Sequence, residues 1–166
     1  MEKHNIIFLD IDGVLNNLAY HEAAGKCAPE IEERALKILA DIYKESNCRI
    51  VLASSWRELD ATLDRPAHSM YQYLLSCMKR YDMEIIGKTP YIHMDRPAEI
   101  AEWIKIHEDE IRNFIILDDD YSPEEYDNHG LKEHLIQTIF FTHDVTQGGL
   151  QERHKEKAKK ILKEAI

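Results

Sequence analysis

Four short segments of this chain are almost continuously apolar: Asn5 to Asp10 (NIIFLD), Arg49 to Ser54 (RIVLAS), Asn113 to Asp118 (NFIILD) and Leu135 to Phe141 (LIQTIFF). A strand with one face in water alternates apolar and polar residues. A strand covered on both faces need not, so short runs of Ile, Val, Leu and Phe read as parallel strands buried between two layers. The stretches between them carry helical spacing. Ile31, Ala35, Ile38, Leu39 and Ile42 follow Pro29, a residue suited to a first helical turn. Pro97 opens a segment with Ile100, Ala101, Trp103 and Ile104 towards one side, and Leu150, His154, Ala158, Ile161, Leu162 and Ala165 mark a final amphipathic helix. Ala67 to Tyr81 reads as a fourth helix, followed by a short strand at Glu84 to Ile86. Strand and helix in alternation predict an α/β fold: a doubly wound, Rossmann-like, mostly parallel sheet with flanking helices. With no internal repeat, low-complexity tract or linker, the 166 residues are expected to form one domain, 1–166.

Composition narrows the class. No apolar run approaches the roughly 18 residues a membrane span needs, and the opening MEKHN precedes only four apolar residues, so neither a membrane segment nor a secretory signal is expected. Cys27, Cys48 and Cys77 are odd in number and widely spaced, which suits reduced thiols in a cytoplasmic protein better than a disulfide framework or a zinc knuckle. The nine histidines show no paired metal-ligand spacing. A net charge of -10 disfavours nucleic acid and anionic membranes in general without excluding a local basic groove. The basic run from Arg153 to Lys163 reads as the solvated face of the last helix. No partner protein is inferable.

In an open parallel sheet, ligands bind beyond the carboxyl ends of the strands. Three of the four apolar runs end there in reactive or polar groups: Asp10, then Ser54 and Ser55, then Asp118, Asp119 and Asp120. Asp10 and Asp12 are two apart on an extended chain and share a face, and Gly13 lets the backbone turn sharply beside a ligand. Two carboxylates so close repel unless a cation or a shared proton intervenes. Magnesium, which prefers oxygen ligands, answers that need, with the third aspartate cluster completing the set. A D-x-D-G fragment alone also suits a turn or part of a calcium loop, but an apolar strand before it and Val14-Leu15 after it do not suit an EF-hand.

These residues resemble the haloacid dehalogenase (HAD) superfamily of phosphohydrolases. IIFLDIDGVLN is similar to its first motif, RIVLASS to its second and FIILDDD to its fourth. The combination of DIDGVLN, SSWR, a later R-x-x-E-I and a terminal LDD most resembles the HAD domain of Swiss Army Knife RNA repair proteins. The likeness implies that Asp10 is the nucleophile that becomes an aspartyl-phosphate, with Asp12 as general acid and then base. It implies magnesium held by Asp10, the Asp12 backbone carbonyl, Asp118 and Asp119, with Asp120 in a supporting position. Ser54 matches the hydroxyl on the phosphoryl group and Ser55 is its fallback. Arg96, with Lys88 as runner-up, fills the fixed cation, and Arg57 is placed near substrate phosphate.

The intervals between motifs leave space for no cap or a minimal one, so an open site is expected. That favours a phosphate on a nucleic-acid end or a phosphoprotein, with a nucleotide or other small phosphomonoester as the competing substrate. The alternative class is a metal- and phosphate-binding regulatory module without turnover.

Overall fold

The computed structural model describes residues 2–61 and 65–166, the side chains of 60, 61 and 65–68 excepted. Strands β1 (His4–Leu9), β2 (Cys48–Leu52), β3 (Ile85–Lys88), β4 (Ile111–Asp118) and β5 (Leu135–Gln137) form a sheet in the order β3-β2-β1-β4-β5. All four pairings are parallel. Helices α1 (Leu18–Ala24), α2 (Glu33–Glu45), α3 (Arg65–Arg80), α4 (Arg96–Ile106), α5 (Pro123–Asp127) and α6 (Glu152–Leu162) accompany it.

The apolar runs are continuous because successive residues serve different layers. Ile7, Leu9, Ile50, Leu52, Ile115 and Leu117 join one core with Leu36 and Leu39 of α2, Leu74 and Met78 of α3, and Ala158 and Leu162 of α6. Their neighbours Ile6, Phe8, Val51, Phe114 and Ile116 join a second core with Ile100 and Trp103 of α4 and Tyr126 of α5. Side chains alternate across a strand, so both faces are apolar only when both are covered. α3 feeds its buried face into the first core.

Several elements differ from the sequence expectation. The sheet is wholly parallel, and β3 runs on to Lys88. β5 is only three residues long; Thr138 N still donates to the Asp118 carbonyl at 3.0 Å, but the Thr138 side chain and the residues after it bond elsewhere: Thr138 Oγ1 donates to the Gly13 carbonyl at 2.7 Å and the Phe140 carbonyl accepts from Leu18 N at 3.0 Å. Pro29 precedes α2, which starts at Glu33. α1, with Asn17 as its N-cap, and α5, with a Ser122–Glu125 capping box, were not expected. α6 stops at Leu162, where Arg112 and Asn113 at the start of β4 accept its end: their side chains donate to the carbonyls of Ile161, Leu162, Lys163 and Glu164. Among the described residues, no helix is long and apolar enough to cross a membrane.

The order of the strands reverses at β1, with β2 and β3 to one side and β4 and β5 to the other. A crevice opens at such a switch point beyond the carboxyl ends of the strands. Asp10 directly follows β1 and Asp118 is the last residue of β4.

Candidate active site

Register brings the acids together. Leu9 pairs with Leu117, and Asp10 N donates to the Leu117 carbonyl at 3.1 Å, so the residues after both strands emerge side by side. Carboxylate oxygens of Asp10, Asp118 and Asp119 lie within 4.8 Å of one another. Asp10 is 5% exposed and Asp118 fully buried.

Gly13 permits this convergence. Its φ of +85° lies where side chains are strained, and a Cβ there would stand 2.1 Å from Asp119 Cγ. The turn is fixed by Asn16, whose Oδ1 accepts from Gly13 N at 3.0 Å and whose Nδ2 donates to Asp12 Oδ1 at 2.9 Å.

Arg96, in the first turn of α4, bridges two of the three acids: Nη1 donates to Asp10 Oδ2 at 2.8 Å and to Asp118 Oδ1 at 3.1 Å. α4 is aimed by its cap, where Asp95 Oδ1 accepts from Ala98 N at 3.1 Å and Pro97 occupies the first turn. The Arg96 guanidinium lies 5.2 Å from the Tyr121 ring centroid. Asp118 is further held by Tyr126 O–H at 2.5 Å and by Asp120 N at 3.1 Å, while the Asp120 side chain is exposed.

The electrostatics leave a deficit of positive charge. Burial pushes the Asp10 carboxyl well up; Arg96 opposes this, and Asp118 and Asp119 add to it. Burial, with Asp118 beside it, likewise raises Asp119 to about 6. Three carboxylates face one guanidinium, and all of their donors are hard oxygens. That set is compatible with a divalent metal held between Asp10, Asp118 and Asp119.

Asp12 stands apart from the trio. Its carboxylate is exposed, with Trp56 Nε1 donating to Oδ2 at 3.1 Å in addition to the Asn16 contact. Ser54 is buried alongside Asp10's strand, since Ala53 N donates to the Leu9 carbonyl at 2.8 Å; its Oγ accepts from Trp56 N at 3.2 Å. Ser55 is exposed at the start of the short 3-10 turn Ser55–Ala61. Lys88 is exposed at the end of β3, and its Nζ donates to the Arg57 carbonyl at 3.3 Å.

Arg57, expected near substrate phosphate, is drawn elsewhere. It is 6% exposed, and its Nη2 donates to the buried Glu99 Oε1 at 3.1 Å while Nη1 donates to the Ser54 carbonyl at 3.3 Å. A basic residue after a strand end cannot reveal from sequence which anion it will face. Trp56, Asn16, Tyr126 and Glu99 were likewise absent from the sequence-derived site. Asn16, Trp56 and Glu99 stood inside the motifs DIDGVLN, SSWR and R-x-x-E-I without a role assigned to them, whereas Tyr126 lay outside any motif and reaches the site through three-dimensional packing.

The neighbouring surface is partly apolar. A cavity of ≈ 360 Å³ is lined by Asp119, Asp120, Gln137, Thr138, Ile139, Phe140 and Phe141. Larger cavities of ≈ 540 and ≈ 560 Å³ lie near Arg112 and near Trp103, away from the acids. Size therefore does not identify this site.

Compared with known proteins, residues 6–147 match the family model described as the HAD domain in Swiss Army Knife RNA repair proteins. No curated protein and no solved structure matches the chain.

Proposed function

Because the chain belongs to the family of HAD domains in Swiss Army Knife RNA repair proteins, we propose that it is a magnesium-dependent phosphomonoester hydrolase working through an aspartyl-phosphate on Asp10. One observation carries the reading: Asp10, Asp118 and Asp119 gather within 4.8 Å at the switch point of the sheet. The cytoplasm is its proposed location.

In this reading Arg96 and the Ser54 hydroxyl hold the phosphoryl oxygens, and one oxygen of Asp10 attacks phosphorus in line with the leaving alcohol. The P–O bond to the alcohol breaks as the new P–O bond to Asp10 forms. Asp12 gives its proton to the departing oxygen and afterwards takes one from the water that attacks the phosphorus of the aspartyl-phosphate. That second step returns Asp10 and releases inorganic phosphate. Asp12 is exposed and held by Trp56 and Asn16, and an anchored carboxyl open to solvent supports that role. Magnesium, held by Asp10, Asp118, Asp119 and the Asp12 carbonyl, supplies compensation for charge on the phosphoryl oxygens. The substrate class that best suits the short intervals between the motifs, which leave no space for a large cap, and the family is a phosphate at a nucleic-acid end or on a nucleotide, with a phosphoprotein as the competitor.

The second reading, a binding module without turnover, draws on Asp12: both of its oxygens already accept a hydrogen bond, and Arg96 occupies an oxygen of Asp10. Magnesium-dependent hydrolysis of an aryl phosphate separates the two. The enzyme reading expects turnover that falls at least about a thousandfold in Asp10→Asn with folding retained, a size set by losing the nucleophile. Equal turnover in both proteins rejects Asp10 as nucleophile, and none in either favours the module. Nucleotides, phosphopeptides and 3′- or 5′-phosphorylated oligonucleotides, compared on the active protein, then rank the substrates.

A further inference from the structure

Two side chains to which that chemistry gives no role, Arg57 in Ser54-Ser55-Trp56-Arg57 and Glu99 in Arg96-Pro97-Ala98-Glu99-Ile100, meet inside the protein. Arg57 and Glu99 are 6% and 1% exposed, and their side chains pair at 3.1 Å. Burying two opposite charges costs desolvation that their attraction seldom exceeds, so such a pair is a poor device for stability alone. Its geometry suggests a different use.

Glu99 lies one helical turn beyond Arg96 on α4. Its Oε1 accepts both from Arg57 Nη2 and, at 3.0 Å, from the backbone N–H of Ile92 in the loop that leads into α4. Glu99 N in turn donates to the Asp95 carbonyl at 2.9 Å, within the turn that carries Arg96. From the other side Arg57 grips the end of β2 twice: its backbone N and its Nη1 both donate to the Ser54 carbonyl, at 3.1 and 3.3 Å. The Glu58 carboxylate at 3.3 Å and the Tyr91 ring at 6.0 Å complete its surroundings. A chain of contacts therefore runs from Ser54 through Arg57 and Glu99 to α4, and from Arg96 to Asp10 and Asp118.

We propose that Arg57 and Glu99 are positioning residues that fix Arg96 relative to Ser54 and the carboxylate cluster. The pair locks the separation between the two elements that would grip a phosphoryl group, one from β2 and one from α4. This rests on the functional reading above for the roles of Arg96 and Ser54.

A double-mutant cycle tests it. Glu99→Gln keeps size and an acceptor for Ile92 N–H while removing the charge. With an aryl phosphate and magnesium, kcat/KM is expected to fall about ten- to a hundredfold in Glu99→Gln, the usual range for residues that orient a reacting group. In an Arg96→Ala background the same change is expected to cost less than about twofold, because its effect passes through Arg96. A merely structural pair predicts the opposite: a lowered unfolding temperature with equal losses in both backgrounds, which overturns the proposal. A crystal structure of Glu99→Gln provides a readout that needs no turnover. There the Arg96 contacts to Asp10 and Asp118 are expected to lengthen or break; an unmoved Arg96 overturns the proposal. An inactive native protein sinks the enzyme reading, yet leaves this structural comparison decisive for the pair. Should Glu99→Gln fail to fold, Arg57→Lys, which keeps the charge and loses the fork, undergoes the same measurements.

Discussion

At the scale of single residues, the site depends on the absence of a side chain at Gly13 as much as on the acids. A methyl group at that position would occupy the space of the Asp119 carboxylate, on a backbone with φ of +85°. Gly13→Ala is therefore expected to fold and to bind magnesium at least about tenfold more weakly, through displacement of one ligand; calorimetric titration of the metal checks it. Unchanged affinity would remove Asp119 from the ligand set. Asp10, Asp118 and Asp119 were legible in the sequence because they stand at the ends of two apolar strands, and strand ends in a parallel sheet share one edge. Arg96 was legible only with the family likeness. That Arg57, expected near phosphate, pairs with Glu99, which carried no expected role, was not legible for one physical reason: a buried pair is defined by two positions 42 residues apart, and neither half signals its partner.

At the scale of elements, strands were easier to read than helices because burial on both faces leaves an unbroken apolar run. α1 escaped notice since Ala19 is its one buried residue, so it has no apolar stripe to read despite a good Asn17 cap. β5 was drawn too long because Ile139, Phe140 and Phe141 look like strand residues; in the structure Phe141 is 84% exposed. At the head of α6, His154 Nδ1 accepts from Gln151 N at 2.8 Å and the ring is buried. Burial, ahead of the Arg153, Lys157 and Arg34 charges, pushes this imidazole down to about 4. An unfolded chain holds it near about 6.5. Between those values the unfolded state binds the extra proton, so this residue's contribution is complete above the window and is lost as pH falls through it. His154→Gln keeps an acceptor for Gln151 N–H and cannot titrate. Urea unfolding at pH 7.5 and 4.5 should show the native protein losing more stability on acidification than the variant; equal losses would mean that His154 is protonated in the folded state.

At the scale of the whole molecule, a metal held by Asp10, Asp118 and Asp119 would be linked to the fold by mass action, since these carboxylates assemble only when β1 and β4 are paired. At a hundredfold excess over its Kd, magnesium is expected to add about 2.7 kcal/mol of stability, or roughly 5 to 10 °C in Tm for a chain of this length. Asp118→Asn should abolish most of that increment in a thermal scan, whereas an equal rise in both proteins would point to nonspecific screening of the -10 net charge. The strand order carries a further consequence for biosynthesis. Leu9 and its ladder neighbour Leu117 are separated by roughly a hundred residues, so the first strand must wait for the fourth before its second edge is covered. A nascent chain on the ribosome thus exposes the greasy IIFL segment long before Asp118 and Asp119 emerge from the exit tunnel. The cluster arises late and all at once, and a prematurely halted translation product would hold Asp10 without the two carboxylates that gather around it.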